Sequence, residues 1–254
     1  VIAALLAPGL AVAYGWGNVF GLALIPVGFA FIVYLFFAKD APDCPPPKSL
    51  RQYLNVLKDR DAWWFMFFYF VTFGGFVGLA SSLTIYFNDQ YGMTPVQAGY
   101  FTAACVFAGS MVRPLGGMLA DRVGGIRALL VMYLMAGIFL IAVSFGTSSA
   151  GVALAGFMLA MGSLGAGNGA VFQLVPQRFR KEIGVMTGMV GMAGGVGGFY
   201  LAASLGYIKG QTGDYQIGLL IFAGLCFIAL VGLSMVKKRW RTTWGAAAIA
   251  GAKV

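Results

Sequence analysis

Seven runs of about 20 apolar residues recur along this 254-residue chain, each long enough to cross roughly 30 Å of hydrocarbon as an α-helix. They lie near 19–38, 62–87, 95–119, 127–146, 151–177, 183–207 and 215–236. Backbone N–H and C=O groups in lipid must be satisfied internally, and continuous runs of this length do so as helices. Composition points the same way, with 60% hydrophobic and 10% charged residues against globular norms of roughly 45–50% and about 25%. The sequence therefore predicts an all-α, polytopic membrane protein. An eighth apolar piece, Val1 to Ala13, is too short to span. Without an initiator Met or a charged leading segment it does not read as a signal peptide. It reads as the tail of a helix, and the chain as a fragment.

Several function classes fall away at this point. A formal charge of +9 suggests nucleic acid only when the basic residues form a stripe, and here they cluster beside apolar spans. Cys44, Cys105 and Cys226 are far apart and lack ligand spacing, so neither a disulfide framework nor a metal site is expected. There is no His, no nucleophile paired with a base and no phosphate-binding loop beside a strand. The expectation is a protein that is not an enzyme, uses no cofactor and has no nucleic-acid partner.

The basic residues are better read as a topology signal. Lys39, Lys48, Arg51, Lys58 and Arg60 share one connection, Arg122 and Arg127 the next on that side, then Arg178, Arg180 and Lys181, then Lys237, Lys238, Arg239 and Arg241. The alternating connections hold one basic residue, Lys209. By the positive-inside rule the basic set is cytoplasmic, with Asn88 to Tyr91 outside. The stretch 39–61, with Pro42 and Pro45 to Pro47, reads as a semi-rigid cytoplasmic linker. It divides residues 1–38, a stub and one span, from a six-span block at 62–236 that is followed by a tail at 237–254. Trp63, Trp64, Trp240 and Trp244 are expected in an interfacial aromatic belt.

One charge breaks this pattern. Arg113 lies well inside an apolar run, while no Asp, Glu or His occupies any run to pair with it. An unpaired guanidinium at membrane depth costs at least a few kcal/mol. A small anion is the natural partner, because the guanidinium fork matches a planar oxyanion through two parallel N–H donors. At about 1.5 Å per residue from the basic ends, Arg113, Phe73, Asn168 and Gly191 all fall roughly 12–17 Å deep, near the midplane. Tyr69 shares a helix face with Phe73. Phe73 is a candidate to stack on the anion or the guanidinium, and Asn168 to donate an amide hydrogen bond. Core packing and interhelical packing are their competing roles. Gln173 and Thr72 are weaker candidates.

Glycine spacing supplies the mechanical expectation. Gly184, Gly188, Gly191, Gly195 and Gly198 recur at steps of four and three, which strips one helix face of side chains. Gly162, Gly165 and Gly169 do the same on the preceding run. Such faces let helices pack closely in lipid and slide or rock during alternating access.

At Gly117 to Arg127 the chain reads GMLADRVGGIR. This resembles the cytoplasmic G-x-L-A-D-R-x-G loop of the major facilitator superfamily, carried here by Gly117, Asp121, Arg122 and Gly124. Asp121 is expected to cap the next helix or pair with an Arg. The segments GAGNGAVFQLVPQRF (Gly165 to Phe179) and GVMTGMVGMAGGVGGF (Gly184 to Phe199), with Tyr69, Phe73 and Arg113, are similar to the nitrate/nitrite porters of that superfamily, the NarK-like group. The resemblance implies the C-terminal six-helix half of such a bundle plus one span and a helix stub, placed in the cytoplasmic membrane. It implies transport of nitrate, nitrite or both by nitrate/nitrite antiport or nitrate/proton symport, with Tyr69 donating its hydroxyl to the anion or to Arg113. The expected partners are the anion, the bilayer and the missing N-terminal half, which would bring a second arginine, and the complete protein is expected to be a monomer. Transport of another small anion such as a short carboxylate, and a non-transporting membrane sensor or scaffold, remain alternatives.

Overall fold

The structure, a computed structural model, describes residues 1–39 and 55–245. Lys48, Arg51, Cys44 and the prolines of the expected linker lie outside the described residues, as does the tail beyond Gly245. Among the described residues there are eight α-helices, a single 3-10 turn at Val56–Lys58 and no strand. The helices are α1 Ile2–Tyr14, α2 Trp16–Phe37, α3 Arg60–Tyr91, α4 Pro95–Val123, α5 Gly125–Ser144, α6 Ala150–Arg178, α7 Ile183–Thr212 and α8 Gln216–Thr242. All but α1 are long and apolar enough to cross a membrane, which makes this a multi-pass membrane protein.

Most helices run several residues past the apolar stretches that announce them, because a helix continues into the polar interface where its end can be capped. Asp59 caps α3 by accepting from the Asp61 N–H at 2.8 Å. Thr94 and Gln97 form a reciprocal capping box on α4, with Pro95 preset at the first helical position. Gly92 (φ 61°) and Gly213 (φ 77°) stop α3 and α7 in the left-handed conformation that side chains resist.

The bundle pairs α3 with α7 and α4 with α6, while α5 packs between α6 and α8. α1 lies against α4, where a Cβ on Gly99 would fall 2.6 Å from the Ala4 carbonyl oxygen and 2.9 Å from Pro8 Cγ. α2 packs on α1 and buries no residue within the described chain.

Each end of the bundle has its own fastening. At the basic end Asp61 accepts from Arg178 Nε at 2.9 Å, from Arg239 and from Trp240 Nε1 at 2.8 Å, and Arg178 also pairs with Asp59. Acidic groups at the N-terminus of α3 thus meet basic groups at the C-termini of α6 and α8, each charge favoured by the dipole of its own helix. At the other end the Tyr215 hydroxyl donates to Asp89 at 2.9 Å and the Lys209 ammonium lies 4.7 Å from the Tyr215 ring centre. Burial, then that carboxylate neighbour, pushes the Tyr215 hydroxyl above the ordinary phenol range.

The aromatic belt expected of four tryptophans needs correction. Trp63 is exposed, but Trp240 is fully buried, stacked on Phe65 at 4.7 Å and bonded to Asp61. Trp64 and Trp244 are half-buried. A carboxylate at a helix end recruited an indole donor inward, a preference that residue type and position do not reveal.

Candidate functional site

Tyr69, Phe73 and Phe76 follow one another on α3 at steps of four and three, which places them on one helix face. Tyr69 stacks on Phe73 with ring centres 5.0 Å apart and planes 7° from parallel. Phe172 of α6 meets the Tyr69 ring edge-on at 4.9 Å. At the other end of the ladder Arg113 of α4 carries its guanidinium carbon 5.4 Å from the Phe73 ring centre and 4.4 Å from that of Phe76. Three helices therefore contribute to one aromatic ladder with a cation on it.

Glycines decide how closely these helices approach. A Cβ on Gly165 would fall 2.0 Å from the Gly109 carbonyl oxygen, and one on Gly169 2.3 Å from that of Arg113. The backbone bearing Arg113 is thus seated directly on α6. Pro114 follows Arg113 and supplies no N–H, so one i→i−4 hydrogen bond of α4 is missing beside the cation. On α7, a Cβ on Gly194 would fall 2.6 Å from Tyr69 Cδ1 and 2.8 Å from Phe73 Cδ1, so the stacked pair fits only over bare backbone.

The polar groups here lack partners where burial normally demands them. Arg113 makes no hydrogen bond or ion pair among the described residues, and its Nε is buried. Asn168 is 3% exposed, and neither atom of its amide is bonded among the described residues. A buried unsatisfied group costs about 1–3 kcal/mol, more when charged. The Tyr69 hydroxyl has no hydrogen-bond partner among the described residues either, although it is not sealed from the surface. Thr72, by contrast, is satisfied by the Phe68 carbonyl at 3.2 Å. The set is rich in donors and includes no carboxylate, chemistry that suits a small oxyanion. No group of three or more His, Cys, Asp or Glu able to hold a metal occurs among the described residues.

The glycine faces divide differently from the sequence expectation. Gly165, Gly169 and Gly198 make close approaches, Gly198 with its Cβ position 2.9 Å from Val77 Cγ1. Gly162, Gly184, Gly188, Gly191 and Gly195 have no neighbour within 4 Å of a Cβ. The packing expected of that α7 stripe falls instead, within the described residues, to Gly194, Gly197 and Gly198, one step around the helix, where Gly197 abuts Gly74 and the Phe70 carbonyl. In the loop motif Gly124 ends α4 at φ 99°. Asp121 and Arg122 are exposed, and Asp121 neither caps α5 nor forms an ion pair among the described residues. Gly117 lies 3.9 Å, at its Cβ position, from the Gly169 carbonyl oxygen, and Gln173 sits against Gly125.

Sequence reasoning missed Phe76, Phe172 and Gly194. The signal for Phe76 was present in the four-then-three spacing from Tyr69 and Phe73. Phe172 stands one turn after Asn168 on the same helix. Nothing in the spacing singles out Gly194 among so many glycines.

Comparison with known proteins adds an independent line. The sequence profile of the Major Facilitator Superfamily matches residues 1–202. A nitrite extrusion protein of Bacillus subtilis (strain 168) is 32% identical over 231 residues, covering 91% of this chain and 57% of that protein. A probable nitrate transporter NarT of Staphylococcus carnosus (strain TM300) is 34% identical over 249 residues, covering 95% and 62%. A probable nitrate/nitrite antiporter NarK1 of Thermus thermophilus is 29% identical over 249 residues, covering 84% and 55%. The chain spans about three fifths of the length of these relatives.

Proposed function

The chain belongs to the Major Facilitator Superfamily, and we propose that it supplies the anion-binding wall of a transporter that moves nitrate, nitrite or both across the cytoplasmic membrane by alternating access. The observation that carries this reading is Arg113, a guanidinium at mid-membrane depth held only by Phe73 and Phe76 and left without a counter-ion among the described residues. Arg113 clamps the planar anion, Tyr69 and Asn168 donate to its oxygens, and Phe73 offers a flat apolar surface. Relatives named as a nitrite extrusion protein, a probable nitrate transporter and a probable nitrate/nitrite antiporter support the choice of anion.

In this reading residues 1–38 close an N-terminal half, 39–61 link it to the six-helix half at 62–236, and the segment from 237 onward lies in the cytoplasm. The basic end of the bundle faces the cytoplasm. Single cysteines placed at Asn88 and at Lys238 test that orientation, with labelling from outside the cell expected at the first and not the second. Asp61 and Asp89 stand at opposite ends of α3, and no carboxylate or imidazole lies beside Arg113 among the described residues, which favours exchange of one anion for another over proton symport. A second wall comes from an N-terminal half within the part of the relatives' length that this chain does not match, and the complete protein works as a monomer. Vesicles holding only the present chain are expected to move no nitrate.

The direct test is nitrate binding by purified Arg113 variants in a transporter of the relatives' full length. Arg113→Lys keeps the charge and loses the fork, so affinity is expected to fall about thirtyfold or more, in line with roughly 2–5 kcal/mol for a buried charge-assisted pair. Affinity within about threefold of the parent would remove Arg113 from the site.

A further inference from the structure

We infer that Phe76 is the positioning residue for Arg113, the ring that fixes the plane of its guanidinium while leaving its hydrogen-bonding edge uncommitted. The inference rests on the anion-binding role proposed for Arg113. Of the two rings near the cation, Phe76 is the nearer, 4.4 Å against 5.4 Å for Phe73. Phe73 is also engaged on its own account, stacked on Tyr69 with planes 7° apart.

The Phe76 ring is itself held by α4. A Cβ on Gly109 would fall 2.5 Å from Phe76 Cε2 and 2.9 Å from Cδ2, so the ring lies over a stretch of α4 with no side chain. Gly109 and Arg113 are four residues apart on that helix and share a face. α4 therefore offers a slot one turn before the guanidinium, and the Phe76 ring, 5% exposed, fills the slot and meets the cation.

Chemistry explains why a ring suits this place. A carboxylate would also hold the guanidinium, but it would occupy the fork that an anionic ligand needs and cancel the charge that attracts it. An aromatic face binds the flat, weakly hydrated guanidinium through its quadrupole and takes none of the N–H donors. With Nε buried and unbonded, no hydrogen bond from the described residues orients the group. Orientation then comes from the ring, and a preoriented fork binds its anion more tightly than a freely rotating one.

The experiment replaces Phe76 with mono-, di- and trifluorophenylalanine in a transporter of the relatives' full length and measures nitrate binding. Fluorination drains the ring quadrupole while nearly preserving shape, so a residue that only fills space would not respond. Nitrate affinity is expected to fall stepwise by about three- to tenfold across the series, whereas the same series at Phe65, buried at the basic end, should change nothing. A flat response at Phe76 overturns the inference. A second readout needs no nitrate: the Arg113 Nε–H resonance should carry a ring-current shift that falls by more than about half in Phe76→Leu, leaving the part owed to Phe73, and survives in Phe76→Tyr. An undiminished shift in the Leu variant also overturns the inference. If Arg113→Ala binds nitrate normally, the transport reading fails, and the resonance measurement alone decides whether Phe76 seats the arginine.

Discussion

Arg178 and Arg113 carry the same charge within one helical bundle, yet their surroundings are opposite. Arg178 stands at the end of α6, where it pairs with Asp59 and Asp61, and Asp61 also takes Arg239 and the Trp240 indole. Every strong donor there is answered by a carboxylate of the same chain. Among the described residues Arg113 is answered only by two rings, which satisfy its apolar faces and none of its N–H groups. The first cluster is a staple that ties α3, α6 and α8 together, and its charges are used up in doing so. The second leaves a cation without a counter-ion among the described residues, which is the opening that the proposed anion site would use.

The comparison breaks most sharply at Arg113 itself. Arg113→Met should abolish measurable nitrate binding, a loss of roughly 2–5 kcal/mol, while the unfolding midpoint in detergent stays level or rises, since a partly buried charge with no counter-ion among the described residues has been removed. A large drop in midpoint would mean that Arg113 is structural after all. Asp61→Ala should do the reverse. It strands Arg239 and the Trp240 indole and leaves Arg178 with Asp59 alone, and should lower stability by about 3 kcal/mol, toward the low end for a broken buried pair because both arginines keep partial access to water. Nitrate affinity of the surviving folded fraction should move less than about threefold.

Smaller effects sharpen the contrast between the two glycine faces of α7. Gly194→Val would drive a branched side chain into the Tyr69 and Phe73 rings, and overpacking of this kind typically costs about 1–3 kcal/mol. Both stability and nitrate binding should suffer, because the rings belong to the core and the site alike. Gly191→Val meets no neighbour within 4 Å among the described residues, so stability of the bundle should change by less than about 0.5 kcal/mol. If transport by a transporter of the relatives' full length nevertheless falls in the Gly191 variant, the open stripe works against a part of the protein outside this chain. Normal transport would leave it facing lipid.

Much of this molecule was legible before any coordinates. The spans followed from uninterrupted apolar length, since lipid forces each backbone segment to close its own hydrogen bonds. Arg113 stood out because a lone charge in hydrocarbon has few innocent explanations, and Tyr69, Phe73 and Asn168 could be set at its depth by counting residues. Counting along a helix gives depth well and direction poorly. That is why the stripe from Gly184 to Gly195 was expected to pack and instead lies open in this chain, while Gly194, one residue away, carries the contact. It is also why Asp121 looked like a cap and Trp240 like an interface anchor.

What the sequence determined by itself was the presence of each helix, its approximate limits and the level at which its unusual residues sit, because these depend on local hydrogen bonding and on transfer from water to lipid. What only the tertiary structure decided was which faces meet: that Gly109 makes room for Phe76, that Phe76 rather than Phe73 lies nearest the guanidinium, and that Asp61 gathers donors from two other helices. Helices differing by a few tens of degrees in rotation bury almost the same apolar area in lipid. Their rotation is therefore chosen by close packing and by pairing of polar groups between segments far apart in the chain, and neither is written in any one segment alone.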